Sequence, residues 1–237
     1  MKVTHGMILA AGLGTRMRPL TNDMPKPLIP VAGKPLIDWC MEWLAAQGIS
    51  QVVVNSSYLA EQLEKYLQNR AAVSREGEPP LETGGGVAKA LPLLGEAPFL
   101  TMNSDAIFIG ELPLPKMEAA WDAALDTVDF VMLLVPRSRA IGWEGNGDFI
   151  YDAGAIRRPR EGEVAEYIFT GVQLMHPRVF AGCPEGAFSL SRLWAKSLGP
   201  EGWYQRIHAV VYDGEWLNVG DLAGLEAAEN YLARARS

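Results

Sequence analysis

Apolar segments of two different periods alternate along the first part of the chain, and this alternation restricts the possible folds more than any other feature. Residues 3–11 and 51–55 are runs of apolar and β-branched residues, as in buried parallel strands. Residues 35–47 and 59–67 instead carry apolar side chains at helical spacing. The pattern predicts βαβ units and therefore an α/β fold built on a parallel sheet.

Polar residues and glycines follow the ends of the predicted strands. In open parallel sheets, ligands bind beyond the carboxyl ends of the strands. The loops after Ala10, Val54 and Met102 are therefore expected to share one crevice. Further predicted elements are a helix over residues 84–94, strands over 97–103, 130–135 and 167–175, and a closing helix over 222–235.

Length and charge restrict the class of partner. The 237 residues, 49% of them hydrophobic, can bury a full core, and we expect a single domain over residues 1–237. The net charge of −7 argues against binding to a nucleic-acid backbone or an anionic membrane. The apolar run 7–13 is also too short to cross a bilayer. The expected partners are therefore small molecules.

The two cysteines, Cys40 and Cys183, lie far apart and have no metal-type spacing. A disulfide framework is therefore not expected, and both cysteines are interpreted as small buried hydrophobic residues. A reducing, cytoplasmic setting follows from this interpretation.

A candidate phosphate site lies in residues 8–35, where an apolar strand runs into glycines and then into cations: ILAAGLGTRMRPLTNDMPKPLIPVAGKP. Glycines let backbone amides approach phosphate oxygens closely, and an arginine can bind two oxygens of a polyphosphate. Arg16 and Lys26 are therefore the candidate catalytic residues. The Gly-x-Gly turn alone would be weak evidence, because the Walker ending of Gly-Lys-Ser/Thr is missing.

Two linked segments, AAGLGTRMRPLT and PKPLIPVAGKP, resemble the signature of the sugar-1-phosphate nucleotidyltransferase family. The resemblance implies a Rossmann-like, mostly parallel sheet flanked by helices. It further implies that Arg16 stabilises pyrophosphate and that Lys26 neutralises the reacting phosphates. The triphosphate-binding residues that it assigns to the glycine-rich loop are Ala11, Gly12, Gly14 and Thr15.

A second segment, FLTMNSDAIF, ends its strand at Asp105, and the resemblance implies that Asp105 binds Mg²⁺. A hard cation takes oxygen ligands, usually one or two carboxylates together with phosphate oxygens. The family's second metal carboxylate lies in a Trp-hydrophobic-Asp-hydrophobic-Gly pattern, which here is WLNVGD, with Asn218 in place of the aspartate. Either Asn218 is a weaker ligand or Asp221 takes over this role.

A third segment, EGEPPLETGGG, corresponds to the part of the family that wraps the base and ribose. The nucleotide-binding residues implied here are Thr83, Gly84 and Gly85, with Asn103 from the second segment. The glycines at 84–86 could equally serve only to open the helix. Within the family, EGEP followed by LETGGG resembles the N-acetylmuramate-1-phosphate uridylyltransferases of peptidoglycan recycling, which favours UTP.

Sugar recognition is expected from the loop GNGDF and from the strand segment FTGVQLMHP. The family positions that line the sugar pocket correspond to Gly147, Thr170 and Gly171.

The expected reaction is attack by a sugar 1-phosphate oxygen on the α-phosphorus of UTP, which gives a UDP-sugar and pyrophosphate. An ionised phosphate nucleophile needs positioning and charge neutralisation, and no general base. A mannose-1-phosphate guanylyltransferase or a phosphocholine cytidylyltransferase is the nearest alternative. A catalytically silent nucleotide-sugar sensor is an alternative of another class. The sugar and the oligomeric state stay open.

Overall fold

The structure, a computed structural model, describes residues 1–124 and 127–235. The strands are β1 (His5–Leu9), β2 (Pro30–Val31), β3 (Lys34–Pro35), β4 (Gln51–Ser56), β5 (Ala72–Arg75), β6 (Phe99–Asn103), β7 (Ala106–Ile109), β8 (Phe130–Pro136), β9 (Ala140–Ile141), β10 (Ile150–Asp152), β11 (Ala155–Arg157), β12 (Tyr167–Met175), β13 (Trp203–Val211) and β14 (Glu215–Asn218). The helices are α1 (Leu36–Ala46), α2 (Ala60–Leu67), α3 (Glu82–Leu94), α4 (Leu114–Ala124), α5 (Ser191–Ala195) and α6 (Leu222–Ala235). Within the described ranges, no helix is long and apolar enough to cross a membrane.

Nine strands form one sheet in the order β10-β11-β13-β8-β12-β6-β1-β4-β5. Strand β1 lies between β4 and β6 and is parallel to both, and β5 continues this parallel half. Strand β12 is antiparallel between β6 and β8, while β13 is parallel to β8. The predicted Rossmann-like α/β fold is confirmed, and its parallel half carries the phosphate-site motifs.

Most of the long predicted elements are present. Strand β12 and helix α6 have the predicted limits, and α3 begins at Glu82, two residues before the predicted start. The second sheet, of order β7-β14-β9, was not predicted from the sequence. Its strands are two to four residues long, too short for a hydrophobic period to be recognised.

Helices cover both faces of the large sheet. Neighbouring residues of a strand point to opposite faces, so apolar residues along one strand pack in two different cores. On β1, Ile8 packs in a core with residues of α1 and α2, and Met7 packs in a second core with residues of α3. A third core joins the small sheet to α6 and includes Leu217 and Leu232. The small sheet and α6 therefore share a core, while Trp216 of the small sheet also packs in the first core.

The carboxyl ends of the central parallel strands meet at one edge of the large sheet. Ile8 pairs with Val54 across β1 and β4, and Leu9 pairs with Asn103 across β1 and β6. The predicted convergence of the three loops at this edge follows directly from that register.

The two cysteines are free and differ in burial. Cys40 on α1 is fully buried, and its thiol lies 3.7 Å from the carbonyl oxygens of Asn103 and Ala106. Burial, with a smaller contribution from the nearby Asp105 charge, raises the pKa of this thiol far above its usual value. Cys183 is only half-buried. The prediction of a buried cysteine is therefore right for Cys40 and too strong for Cys183.

Because the Cys40 thiol is buried and protonated, we expect it to resist thiol reagents in the folded protein. In a Cys183→Ser variant, Ellman's reagent should release almost no thiolate under native conditions and one equivalent in guanidinium chloride. The Cys40→Ser variant is the control, since its remaining Cys183 should react without denaturant. Rapid native labelling of Cys40 would contradict the assigned burial.

Candidate active site

A cavity of about 390 Å³ opens at the carboxyl ends of β1, β4 and β6. The predicted site residues that line it are Ala11, Gly12, Gly14, Thr15, Arg16, Lys26, Thr83, Asn103 and Asp105. They come from segments far apart in the sequence, as expected for a crevice at the edge of a parallel sheet. The predicted site residues outside this lining are Gly84, Gly85, Gly147, Thr170, Gly171, Asn218 and Asp221.

Gly14 determines the turn that follows β1. Its φ of +62° lies in the left-handed region, and a Cβ there would lie 2.9 Å from Thr21 Cγ2 and 3.1 Å from Lys26 Cβ. Glycine alone adopts this conformation without strain and leaves both side chains in place. The Thr21 hydroxyl donates to the Gly14 carbonyl at 2.8 Å, and the Tyr58 hydroxyl donates to the Thr21 carbonyl at 2.9 Å. The loop is therefore held in one conformation beside the cavity.

An ion pair joins the predicted catalytic lysine to the predicted metal ligand. The Lys26 ammonium donates to Asp105 Oδ2 at 2.6 Å, and the two side chains are 12% and 21% exposed. The same ammonium lies 3.4 Å from the Gly220 carbonyl oxygen. Water screens a partly buried pair less than a surface pair, so the two charges interact strongly. The cavity thus holds a cation and a carboxylate in direct contact.

Backbone contacts fix the position of Asp105, which lies in the turn between β6 and β7. The Ser104 amide donates to the Leu9 carbonyl at 3.2 Å, which ties the turn to the end of β1. The Val219 amide donates to the Asp105 carbonyl at 2.8 Å, which ties it to the end of β14. Asp105 is therefore presented from a rigid junction of the two sheets.

Arg16 lies between two cavities. It lines the first cavity and also a second one of about 400 Å³, whose lining includes Glu144, Asn218 and Asp221. A Cβ at Gly220 would lie 3.5 Å from Arg16 Nη2 and 3.1 Å from Asn218 Nδ2. Gly220 therefore lies close to both the Arg16 guanidinium and the Asn218 amide.

The two alternatives for the second metal ligand have different surroundings. Asn218 lies opposite the residue that follows Asp105, and its Nδ2 donates to the Gly142 carbonyl at 3.1 Å. Asp221 directly precedes α6, and its Oδ1 accepts a hydrogen bond from the Gly224 amide at 2.9 Å, as an N-cap does. In the described part of the chain, no group of three or more His, Cys, Asp or Glu residues could hold a metal ion.

The first two glycines of the LETGGG segment lie against the chain that precedes α5. A Cβ at Gly84 would lie 2.4 Å from Phe188 Cε2, and a Cβ at Gly85 would lie 2.2 Å from the Gly186 carbonyl oxygen. The Gly84 amide also donates to the Phe188 carbonyl at 2.7 Å. Close packing is thus one reason for these glycines, and their nucleotide contact stays a prediction. Thr83, one residue earlier, does line the cavity.

Among the predicted sugar-binding residues, Gly171 lies next to the cavity lining. Its φ is +84°, and a Cβ there would lie 2.6 Å from Asn103 Nδ2. The register of β12 against β8 shifts between Phe169 and Gln173, on either side of this glycine. At this irregularity, the backbone of β12 lies close to the Asn103 side chain.

Thr170 and Gly147 make contacts within the protein. The Thr170 side chain is buried, and its hydroxyl donates to the Leu133 carbonyl at 2.9 Å. Gly147 has a φ of +78°, and a Cβ there would lie 2.1 Å from the Ala165 carbonyl oxygen. Their roles at the sugar stay predictions.

Two buried polar residues at the site, Asn55 and Glu76, were not predicted from the sequence. Asn55 lines the cavity and its Oδ1 accepts from the Ala10 amide at 2.6 Å. Its Nδ2 donates to Glu76 Oε1 at 2.7 Å, and Glu76 Oε2 accepts from the Leu81 amide at 2.7 Å. The asparagine that closes the β-branched run QVVVN was the one available signal, since it ends a strand at the predicted crevice.

The capping role of Asp221 predicts a difference between two variants. Asp221→Ala should lower the free energy of unfolding by about 1 kcal/mol, whereas Asp221→Asn should keep the cap and the stability. Urea denaturation measures both. If Asp221→Asn keeps its stability and yet needs much more magnesium for turnover, the carboxylate serves the metal as well as the helix.

Comparison with known proteins agrees with this geometry. The nucleotidyl transferase family model matches residues 5–142. The chain is 41% identical over 240 residues to the N-acetylmuramate alpha-1-phosphate uridylyltransferase of Caulobacter vibrioides, covering 97% of each chain. It is 36% identical over 229 residues to the Neisseria meningitidis protein of the same name, covering 94% of this chain and 96% of that one.

Solved structures share the fold. HddC from Yersinia pseudotuberculosis, in a complex with GMP-PN, matches with a TM-score of 0.73 at 23% identity, covering 97% of this chain and 100% of that chain. At this identity the likeness concerns the fold alone. The family match and the near-full-length relatives, together with the cavity at the strand ends, show that the chain belongs to the nucleotidyl transferase family.

Proposed function

We propose that the protein transfers a uridylyl group from UTP to N-acetylmuramate 1-phosphate, giving the UDP-sugar and pyrophosphate. The observation that carries the proposal is the 41% identity to the Caulobacter uridylyltransferase, which extends over 97% of both chains. The cavity adds the glycine loop, the cations and the carboxylate that this chemistry requires. The proposal includes a place in peptidoglycan recycling and a cytoplasmic location, which the two free cysteines support.

In the proposed reaction, an oxygen of the sugar 1-phosphate attacks the α-phosphorus, and the bond from that phosphorus to the α,β-bridging oxygen breaks. The attacking oxygen is already ionised, so the protein supplies position and charge and no general base. The Lys26 ammonium offsets charge at the α-phosphate. The planar Arg16 guanidinium binds oxygens of the departing pyrophosphate.

The ion pair between Lys26 and Asp105 is suited to a substrate-free site that binds charged substrates. A lone charge at 12% or 21% exposure would lose much of its hydration, and the pairing offsets this cost. Substrate phosphates offer Lys26 new acceptors of the same charge sign as Asp105. The ammonium can therefore turn toward the nucleotide without being left unpaired.

We propose that Asp105 binds Mg²⁺, with the Asn218 amide oxygen as an uncharged second ligand. Magnesium is usually held by one or two carboxylates, with phosphate oxygens and waters completing its shell, so Asp105 fits as a carboxylate ligand in the cavity. Bound there, the ion would offset negative charge on the phosphates. The Asp221 carboxylate accepts the capping hydrogen bond of α6, which supports Asn218 over Asp221.

The other proposed contacts are divided between the nucleotide and the sugar. The proposed nucleotide-binding residues are Ala11, Gly12, Gly14, Thr15, Thr83, Gly84, Gly85 and Asn103, and the proposed sugar-binding residues are Gly147, Thr170 and Gly171. The contact of Gly171 with Asn103 supports a sugar position next to the nucleotide. One sheet contains strands from both halves of the chain, which supports the prediction of a single domain over residues 1–237.

Arg16→Ala should lower kcat by about 100-fold to 1,000-fold, because charge stabilisation in the transition state is a large term. Arg18→Ala is the matched control, since Arg18 is also exposed on this loop but lies outside the cavity lining. Turnover and circular dichroism would be measured together. Near-normal turnover by a folded Arg16→Ala variant would remove Arg16 from the catalytic set.

Pyrophosphate release tests the activity itself. The purified protein with magnesium is supplied with UTP, GTP, CTP or dTTP and with the 1-phosphates of N-acetylmuramate, N-acetylglucosamine or mannose. We expect turnover with UTP and N-acetylmuramate 1-phosphate. Another productive pair would keep the reaction class and reject the substrate. No turnover with any pair would favour a nucleotide-sugar sensor.

A further inference from the structure

A buried carboxylate connects the two walls of the cavity. Glu76 follows β5 and is 6% exposed; it accepts hydrogen bonds from Asn55 Nδ2 and from the Leu81 amide, both at 2.7 Å. Asn55 at the end of β4 is 3% exposed and accepts from the Ala10 amide at 2.6 Å. Hydrogen bonds therefore run without a break from the end of β1 to the start of α3.

The two ends of this chain of hydrogen bonds belong to different parts of the cavity lining. Ala10 begins the glycine-rich loop on one side. Leu81 lies between Pro80 and Glu82, which line the cavity on the other side. The Asn55–Glu76 hydrogen bond therefore links the segments that form these two parts of the lining.

The third glycine of LETGGG leaves space for this contact. A Cβ at Gly86 would lie 2.5 Å from Glu76 Oε1 and 2.8 Å from Asn55 Nδ2. Helix α3 can thus pass directly over the hydrogen-bonded pair only because residue 86 has no side chain. The helix, the carboxylate and the amide form one tightly packed unit.

A carboxylate in this position is costly unless its oxygens are hydrogen-bonded. Apolar residues of similar volume would fill the same space but would leave the Ala10 and Leu81 amides without their acceptors. The value of the polar pair is geometric, because hydrogen bonds of defined length and direction specify one arrangement of the segments that they join.

We propose that Glu76 and Asn55 are positioning residues that hold the two walls of the cavity at the separation required by a nucleoside triphosphate. The inference rests on the proposed function, in that the nucleotide occupies this cavity. Glu76 acts through Asn55 and the Leu81 amide. Its loss should therefore weaken nucleotide binding and leave the chemical step largely unchanged.

An exchange of the two functional groups tests the proposal. Glu76 accepts from Asn55 Nδ2 and from the Leu81 amide. In Glu76→Gln, one of these two donors faces the new amide nitrogen and loses its acceptor. In Asn55→Asp, two carboxylates face each other and repel. In the double variant, the new carboxylate at position 55 can accept from the Ala10 amide and from the new side-chain amide at position 76. The oxygen of that side-chain amide accepts from Leu81. All three hydrogen bonds are then restored, and only the position of the charge has changed.

Steady-state kinetics should separate the variants. Glu76→Gln should raise KM for UTP by about tenfold, the effect of one buried hydrogen bond, with kcat changed by less than about threefold. Asn55→Asp should raise KM further. The double variant should return KM to within about threefold of the wild type, as expected for residues that act as one unit. Glu96→Gln, an exposed residue in the loop after α3 and outside the cavity lining, should behave as the wild type.

Unchanged KM in a folded Glu76→Gln variant would overturn the proposal. A double variant whose KM for UTP shows the combined effect of both single substitutions would also overturn it. The same holds for variants that lower the melting temperature while KM stays constant. If Glu76→Gln does not fold, the double variant decides, since a folded double variant with a strongly raised KM contradicts the proposal.

Calorimetric titration with UTP separates this inference from the proposed function. A wild type without turnover on any substrate pair would reject the proposed activity, yet the ratio of UTP dissociation constants between wild type and variants would still test the positioning role. A wild type that binds no nucleoside triphosphate at all would overturn the inference itself.

Discussion

The parallel pairing of β1 with β4 on one side and β6 on the other is the constraint on which the site depends. Parallel strands that are hydrogen-bonded in register end at the same edge of the sheet. This brings together the glycine loop after Leu9, the amide of Asn55 and the turn that carries Asp105. Contacts between the loops, such as the Lys26–Asp105 ion pair, then fix their relative positions.

An ion pair between Lys26 and Asp105 organises the charges of the site. Lys26 from the first loop reaches Asp105 from the second, while Asn218 presents an amide where the family pattern has an aspartate. The lysine lowers the cost of holding the carboxylate in a partly buried position. The structure thus pairs the carboxylate with a cation, and the neutral amide at position 218 adds no charge of its own.

Local sequence patterns were sufficient to predict the part of the cavity lining that lies within one segment of the chain. Gly14, Arg16 and Lys26 lie in one loop whose glycines and cations are visible in the sequence, and all three line the cavity. Contacts between distant segments were not visible. The approach of Phe188 to Gly84 and the use of Asp221 as a helix cap depend on how α3 and α6 pack, which no local period contains.

The sequence determined the βαβ order, the glycine-rich loop with its cations and the strand-end aspartate, because hydrophobic period, glycine position and charge act within a few residues of the chain. Only the tertiary structure decided that Glu76 and Asn55 would meet and connect the walls of the cavity. A glutamate after a short strand and an asparagine at the end of another are ordinary surface residues until the sheet register and helix α3 bury them together. Their role therefore comes from packing between segments, a property that the order of residues encodes only through the complete fold.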